Sequence, residues 1–236
     1  MIHLHQLRSK LLDNERRVWL QLPPSSTNLL CILLDGEYYV DRMNAPAVLR
    51  DLVASGSIPP IAVAYVSHVD PKIRWVESFC NPRFVQFLDE ELIPWATNEC
   101  NLSERAPTIV LGGLSLTGLA ACHAALTSTK VTGVFCQSAS FWWNDCWLVQ
   151  EVRRQTASAL RMRISCGAKE TMEYVEHGPE LIQRTSQIAS NRAMRDALIE
   201  TGFATSYEEF DGGHDIASWK SDLPRSILAL LGEPLS

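Results

Sequence analysis

A chain of 236 residues, 46% of them apolar and 20% charged, is long and apolar enough to bury a full core, which excludes an intrinsically disordered protein. A net charge of −6 argues against a nucleic-acid partner, and no apolar run approaches the roughly 20 residues that a membrane span needs. The first dozen residues lack a long apolar signal core and a small-residue cleavage site, so the expectation is a cytoplasmic protein.

The predicted elements alternate along the chain. Arg17–Leu22 alternates in polarity and reads as a half-exposed strand stopped by Pro23 and Pro24, whereas Leu29–Leu34 is apolar throughout, like a parallel strand covered on both faces. A helix over Ala47–Ser55 leads to a buried strand, Ile61–Val66, and then to a polar loop around 67–82. An amphipathic helix from Phe84 to about Thr97 places Phe84, Leu88, Leu92 and Trp95 on one stripe. Thr108–Leu111 reads as a strand and Leu119–Leu126 as a helix, followed by strands at Val131–Cys136, Met162–Cys166 and Thr205–Phe210. Helices over about 179–201 and 223–231 complete the set. Strands separated by helices imply an α/β fold: a doubly wound, mainly parallel sheet with helices on both faces, in one domain over 1–236. The seven cysteines form no Cys-x-x-Cys pair and mostly sit in apolar runs, which predicts buried reduced thiols and no metal site. No cofactor is expected.

Between the strand at 108–111 and the helix at 119–126 stands Gly112-Gly-Leu-Ser-Leu-Thr-Gly118. Strand, small-residue hinge with a serine at its tip, then helix is the pattern of a nucleophile elbow, in which the turn pushes Ser115 into an uncommon backbone conformation. A serine hydroxyl is a poor nucleophile near neutral pH and needs a base, which in turn needs an acid to orient it. In doubly wound hydrolases the chain order is Ser, acid, His. His214 lies in Asp211-Gly-Gly-His-Asp215, just after the last predicted strand, where loops converge on the same rim as Ser115. His68 is a weaker candidate; His3, His5, His123 and His177 compare poorly. Glu170, just beyond the strand Met162–Cys166, is the candidate acid, with Glu173 as its alternate and Asp211 and Asp215 below them. Backbone N–H groups for an oxyanion should come from Leu116 and from Gly36 or Glu37 in the turn after Leu34.

Several segments carry a family resemblance: Leu33-Leu-Asp-Gly-Glu-Tyr38, Arg74-Trp-Val-Glu-Ser-Phe-Cys-Asn81, the elbow, Gln137-Ser-Ala-Ser-Phe-Trp-Trp143, and Asp211-Gly-Gly-His-Asp215 with Trp219. With these the chain resembles the enterochelin (enterobactin) esterases and related siderophore esterases of the α/β-hydrolase class, from about Leu29 to Leu230. The resemblance is to their catalytic domain alone. It implies hydrolysis of ester bonds in a catecholate trilactone siderophore, often as its ferric complex, with Ser115 as nucleophile, His214 as base and Glu170 in the acid's position, although a Ser–His dyad operates in some relatives. It also implies that Arg74 meets anionic catecholate oxygens; Lys72 and Arg83 cluster near it in sequence. Trp142 and Trp143 are candidates for walling an aromatic-accepting cleft. An esterase or acyltransferase for another acyl group, and a catalytically weak binding relative, are the competing readings. The resemblance has one departure: Thr117 stands where the elbow's second glycine belongs, and its branched Cβ should crowd the hinge.

Overall fold

The structure, a computed structural model, describes residues 2–102, 107–178 and 181–232. The strands are β1 (Ile2–Ser9), β2 (Asn14–Gln21), β3 (Leu29–Leu34), β4 (Ala62–Val66), β5 (Thr108–Leu114), β6 (Val131–Gln137), β7 (Arg161–Gly167), β8 (Val175–Gly178), β9 (Leu181–Gln183) and β10 (Ala204–Phe210). Eight of them form one sheet in the order β1-β2-β4-β3-β5-β6-β7-β10, while β8 and β9 pair as a separate antiparallel hairpin. From β4 to β10 across the sheet every pairing is parallel; β2 joins β4 antiparallel, and β1 extends the same edge.

The helices are α1 (Ala45–Ala54), α2 (Pro71–Ser78), α3 (Pro82–Gln86), α4 (Ile93–Glu99), α5 (Ser115–Thr127), α6 (Trp143–Val152), α7 (Gln187–Glu200) and α8 (Ile216–Leu231), with π-helical turns at Tyr38–Arg42 and Phe87–Leu92. Alternation along the pleat divides the core. Leu30, Ile32 and Leu34 of β3 face a cluster that holds residues of α5, α6 and α7. Leu29, Cys31 and Leu33 face a second cluster with Leu49 of α1 and Trp219, Leu223 and Ile227 of α8. Both faces are therefore covered, which is why β3 and β4 read as unbroken apolar runs. Six of the seven cysteines are buried and all seven are free thiols.

Four differences from the sequence reading have local causes. Most of 67–82 is helical rather than loop: Asp70 accepts a hydrogen bond from the Ile73 N–H at 2.8 Å and Pro71 opens the helix, so α2 is capped by residues whose polarity had suggested a loop. The segment predicted as helix from 84 to 97 runs over 82–99 and contains a π-helical turn. The helix expected over 179–201 starts only at Gln187; residues 179–180 lie outside the described residues, and 181–183 form β9. Helix α8 begins at Ile216, where the Asp215 side chain caps it, seven residues before the predicted start and through Pro224. In addition, β1 and α6 occupy stretches for which the pattern predicts no element.

A buried ion pair anchors α2. Arg16 Nη2 and Nη1 lie 2.7 and 3.0 Å from the carboxylate of Glu77, with the guanidinium 4.6 Å over the Phe87 ring. Glu77→Ala leaves that cation buried and unpaired, which should cost about 3–5 kcal/mol and be visible as a lower urea midpoint.

Candidate active site

The parallel strands end on one rim, and the loops that follow β3, β4, β5, β6, β7 and β10 meet there. At the centre is Ser115, first residue of α5, with φ of 51°. That left-handed conformation exists because strand and helix fold back upon each other. A Cβ on Gly113 would stand 2.3 Å from the Thr117 carbonyl oxygen, so only glycine fits two residues before the serine.

Ser115 Oγ lies 2.9 Å from His214 Nε2, and His214 Nδ1 lies 2.6 Å from Glu170 Oε2. Because the buried carboxylate faces Nδ1, the proton of a neutral His214 sits there and Nε2 is left to accept the serine's proton. Glu170 is itself held. Its Oε1 accepts from Ser138 Oγ at 2.5 Å and from the Gly167 N–H at 2.8 Å, and Ser138 Oγ accepts from Trp219 Nε1 at 2.9 Å. Trp219 also packs edge-on against the His214 ring, centroids 4.8 Å apart. Ser138 and Trp219 went unassigned as site residues in the sequence, although both lie in segments that carry the resemblance.

A cleft of about 440 Å³ opens at the serine, lined among others by Arg74, Trp75, Leu116, Trp142, His177, Gln187 and His214. Leu116 N–H is placed at the amino end of α5, where helix amides are unpaired. Gly36 and Glu37 follow β3 as expected, but the two clefts at Ser115 are lined by Leu116 and Tyr38 instead. Gly36 is required there for closeness: a Cβ would meet the Tyr65 carbonyl carbon at 2.5 Å. Glu37 points its carboxylate at His68, 2.8 Å away.

The two tryptophans part company. Trp142 lines the cleft and stacks on His177 at 4.7 Å and 6°, with Trp75 on a neighbouring side of that imidazole. Trp143 instead stacks on Phe79 and meets Trp147 edge-on, packed against the core, so the structure does not place it in the cleft. The β8–β9 hairpin brings His177, which the sequence reading had set aside, to the site. Its signal was lost because a short exposed hairpin has little apolar periodicity to read. Lys72 is exposed and Arg83 bonds the Leu11 carbonyl; of the three clustered cations only Arg74 lines the cleft.

Arg74 is gripped by Asp35, with Nε 2.9 Å from Oδ1 and Nη2 2.6 Å from Oδ2. His68 Nδ1 lies 3.2 Å from the same carboxylate. Burial alone would raise the Asp35 pKa; hydrogen bonds from His68 and Arg74 overcome it and hold the group below the usual carboxylate value. Hydrogen bonds to Asp35 and Glu37 in turn push His68 up to about 9. Asp35, Glu37 and His68 are the one cluster among the described residues whose donor atoms converge closely enough to hold a metal ion, within 4.8 Å. Arg74 already occupies both oxygens of Asp35, and two cations against two carboxylates balance the charge without an ion.

The raised His68 pKa has a sign. A histidine more basic folded than unfolded contributes stability below about pH 6.5 and loses it as pH rises through about 9. The melting temperature should therefore fall across that window, and the fall should be smaller in His68→Gln when both are scanned by calorimetry.

Thr117 does not open the elbow. Its side chain is buried, its hydroxyl lies 2.9 Å from the Leu114 carbonyl and 3.0 Å from Asp35 Oδ2, and Ser115 keeps its contact with His214. The glycine that follows takes up the close packing: a Cβ on Gly118 would stand 2.9 Å from Ala139 Cβ.

Comparison with known proteins places this architecture. The Esterase family model matches residues 9–230. An iron(III) enterobactin esterase of Dickeya dadantii is 30% identical over 225 residues, covering 92% of this chain and 52% of that protein. The iron(III) enterobactin esterase of Escherichia coli K12 is 28% identical over 94% of this chain and 55% of its own length. The chain thus spans about half the length of the curated relatives it matches. Among solved structures, the enterobactin esterase from Shigella flexneri, determined in the presence of enterobactin, superposes with a TM-score of 0.85 at 26% identity, over 98% of this chain and 59% of that one. No described helix is long and apolar enough to cross a membrane. With the family model matching nearly end to end on an α/β-hydrolase sheet, the chain belongs to the Esterase family.

Proposed function

We propose that this protein is a serine esterase that cleaves the ester bonds of a catecholate siderophore trilactone, or a similar macrolactone, through an acyl-enzyme. The observation that carries the reading is the continuous relay Ser115–His214–Glu170, at 2.9 and 2.6 Å, at the mouth of a cleft that also presents Arg74 and Trp142. Residues 1–236 act here as one catalytic domain on a small-molecule ester, with a ferric siderophore as the iron-bearing form of that substrate. Neither nucleic acid nor membrane takes part.

In this mechanism His214 takes the proton of Ser115 Oγ as the oxygen attacks the ester carbonyl. The developing oxyanion is met by Leu116 N–H, and a second N–H comes from the loop that follows β3, which reaches the cleft beside Ser115 at Tyr38. The protonated His214, stabilised by Glu170, then gives its proton to the leaving alkoxide, and water repeats the cycle to free the acid. A strongly anionic substrate gains nothing from a protein of net charge −6, so groups within the cleft must supply the attraction. Arg74 and Lys169 bring cationic N–H donors to the cleft lining, and the apolar faces of Trp142 and Trp75 suit planar aromatic rings. The names of the relatives, iron(III) enterobactin esterases, support this substrate class.

Chromatographic assay of a catecholate trilactone, iron-free and iron-loaded, tests the proposal. Opened linear products are expected from the native protein. Intact trilactone alongside good hydrolysis of simple esters would transfer the reading to another acyl group.

A further inference from the structure

The residue that departs from the elbow pattern is also the one that joins the elbow to the cleft's cation. Thr117 sits one turn into α5, and its Oγ accepts from the Leu114 N–H at 3.3 Å, leaving its own proton for one acceptor. Two are in range: the Leu114 carbonyl at 2.9 Å and Asp35 Oδ2 at 3.0 Å. A carbonyl at the residue preceding a helix already accepts the first bond of that helix, whereas Asp35 is a buried anion and the stronger acceptor.

The donor count at Asp35 points the same way. Oδ1 faces His68 Nδ1 and Arg74 Nε; Oδ2 faces Arg74 Nη2 at 2.6 Å and the Thr117 hydroxyl. Together these four donors fill the roughly four lone-pair sites of a carboxylate. Asp35 itself holds a left-handed backbone, φ 61°, at the turn that begins the Gly36–Glu37 loop. The same hydroxyl therefore touches the helix that starts at Ser115 and the carboxylate that aims Arg74 into the cleft.

We propose that Thr117 is a positioning residue that sets substrate preference: its hydroxyl locks Asp35, and through Asp35 the guanidinium of Arg74, in register with Ser115, favouring anionic acyl groups. A glycine at this place can make no such link. The inference rests on the esterase reading of the same site but reaches a separate property, the discrimination between charged and neutral esters. Thr117 touches no substrate. Its effect passes through Asp35 to Arg74, so it should appear in KM for an anionic ester more than in kcat for a neutral one.

The test compares p-nitrophenyl butyrate with the p-nitrophenyl monoester of succinic acid, in native protein, Thr117→Val, Thr117→Ser and Arg74→Ala. Valine keeps the shape and removes the hydroxyl, and a hydrogen bond to a buried charge is worth about tenfold or more in an equilibrium. The KM ratio, anionic over neutral, should rise about tenfold in Thr117→Val and stay within about twofold of native in Thr117→Ser. In the Arg74→Ala background the valine substitution should change the ratio no further. Should the valine variant not fold, Thr117→Ala carries the same expectation.

An unchanged ratio in a folded hydroxyl-free variant overturns the proposal, as does an equal loss in the serine variant. Fluorophosphonate labelling separates the two levels. Failure of the native protein to label at Ser115 defeats the esterase reading itself, whereas normal labelling with an unchanged KM ratio defeats only the role of Thr117.

Discussion

Ser115→Ala is expected to lower kcat for a short p-nitrophenyl ester by roughly 10⁶-fold, to the level set by substrate binding and the oxyanion donors. The loss is large because, in the proposed mechanism, Ser115 Oγ forms the bond to the acyl carbon and His214, 2.9 Å away, takes its proton. His214→Ala should cost about as much, and the double variant little more, since the two act as one unit. Fold integrity is a fair control here. Ser115 sits at the mouth of the cleft with φ of 51°, a strain that alanine bears equally, so circular dichroism of the variant should match the native protein. Fluorophosphonate labelling should vanish in the variant. Persistent turnover or labelling in Ser115→Ala would mean that another group carries the chemistry.

Glu170→Gln is the second large effect, expected near 10³–10⁴-fold in kcat with KM almost unchanged. The surroundings dictate how the new amide must lie. Oε1 of Glu170 receives two donors, the Ser138 hydroxyl and the Gly167 N–H, so a glutamine must turn its carbonyl oxygen that way. Its NH₂ then faces His214 Nδ1, which becomes an acceptor, and the imidazole proton moves to Nε2. A histidine in that tautomer cannot take the proton of Ser115. Near-full activity in Glu170→Gln would instead point to a Ser115–His214 dyad or to another acid.

The elbow, the histidine loop and Glu170 after β7 were legible because each is a local pattern attached to a strand end. Parallel strands bring their carboxyl ends to one rim, so the order of Ser115, Glu170 and His214 in the chain already implied their neighbourhood. Other parts were not legible. Trp142 and Trp143 are adjacent in sequence, yet one faces the cleft and the other the core, a division made by the chain's turn into α6. Similarly, His177 reaches the site only because the β8–β9 hairpin folds over it. Helix α2 was hidden by its polarity: Arg74 pairs with Asp35 and Glu77 with Arg16, so charges that suggested solvent are turned inward.

By itself, then, the sequence determined the α/β class and the positions of Ser115, Glu170 and His214 at strand ends along one rim, because periodicity and turn chemistry are short-range properties. The direction of side chains remained for the tertiary structure to decide. Thr117 is the clearest instance. Read alone it was a branched residue crowding a hinge, and no local rule names Asp35, 82 residues earlier, as the acceptor of its hydroxyl. Only the parallel pairing of β3 beside β5 brings that carboxylate against the elbow, and burial makes the contact count.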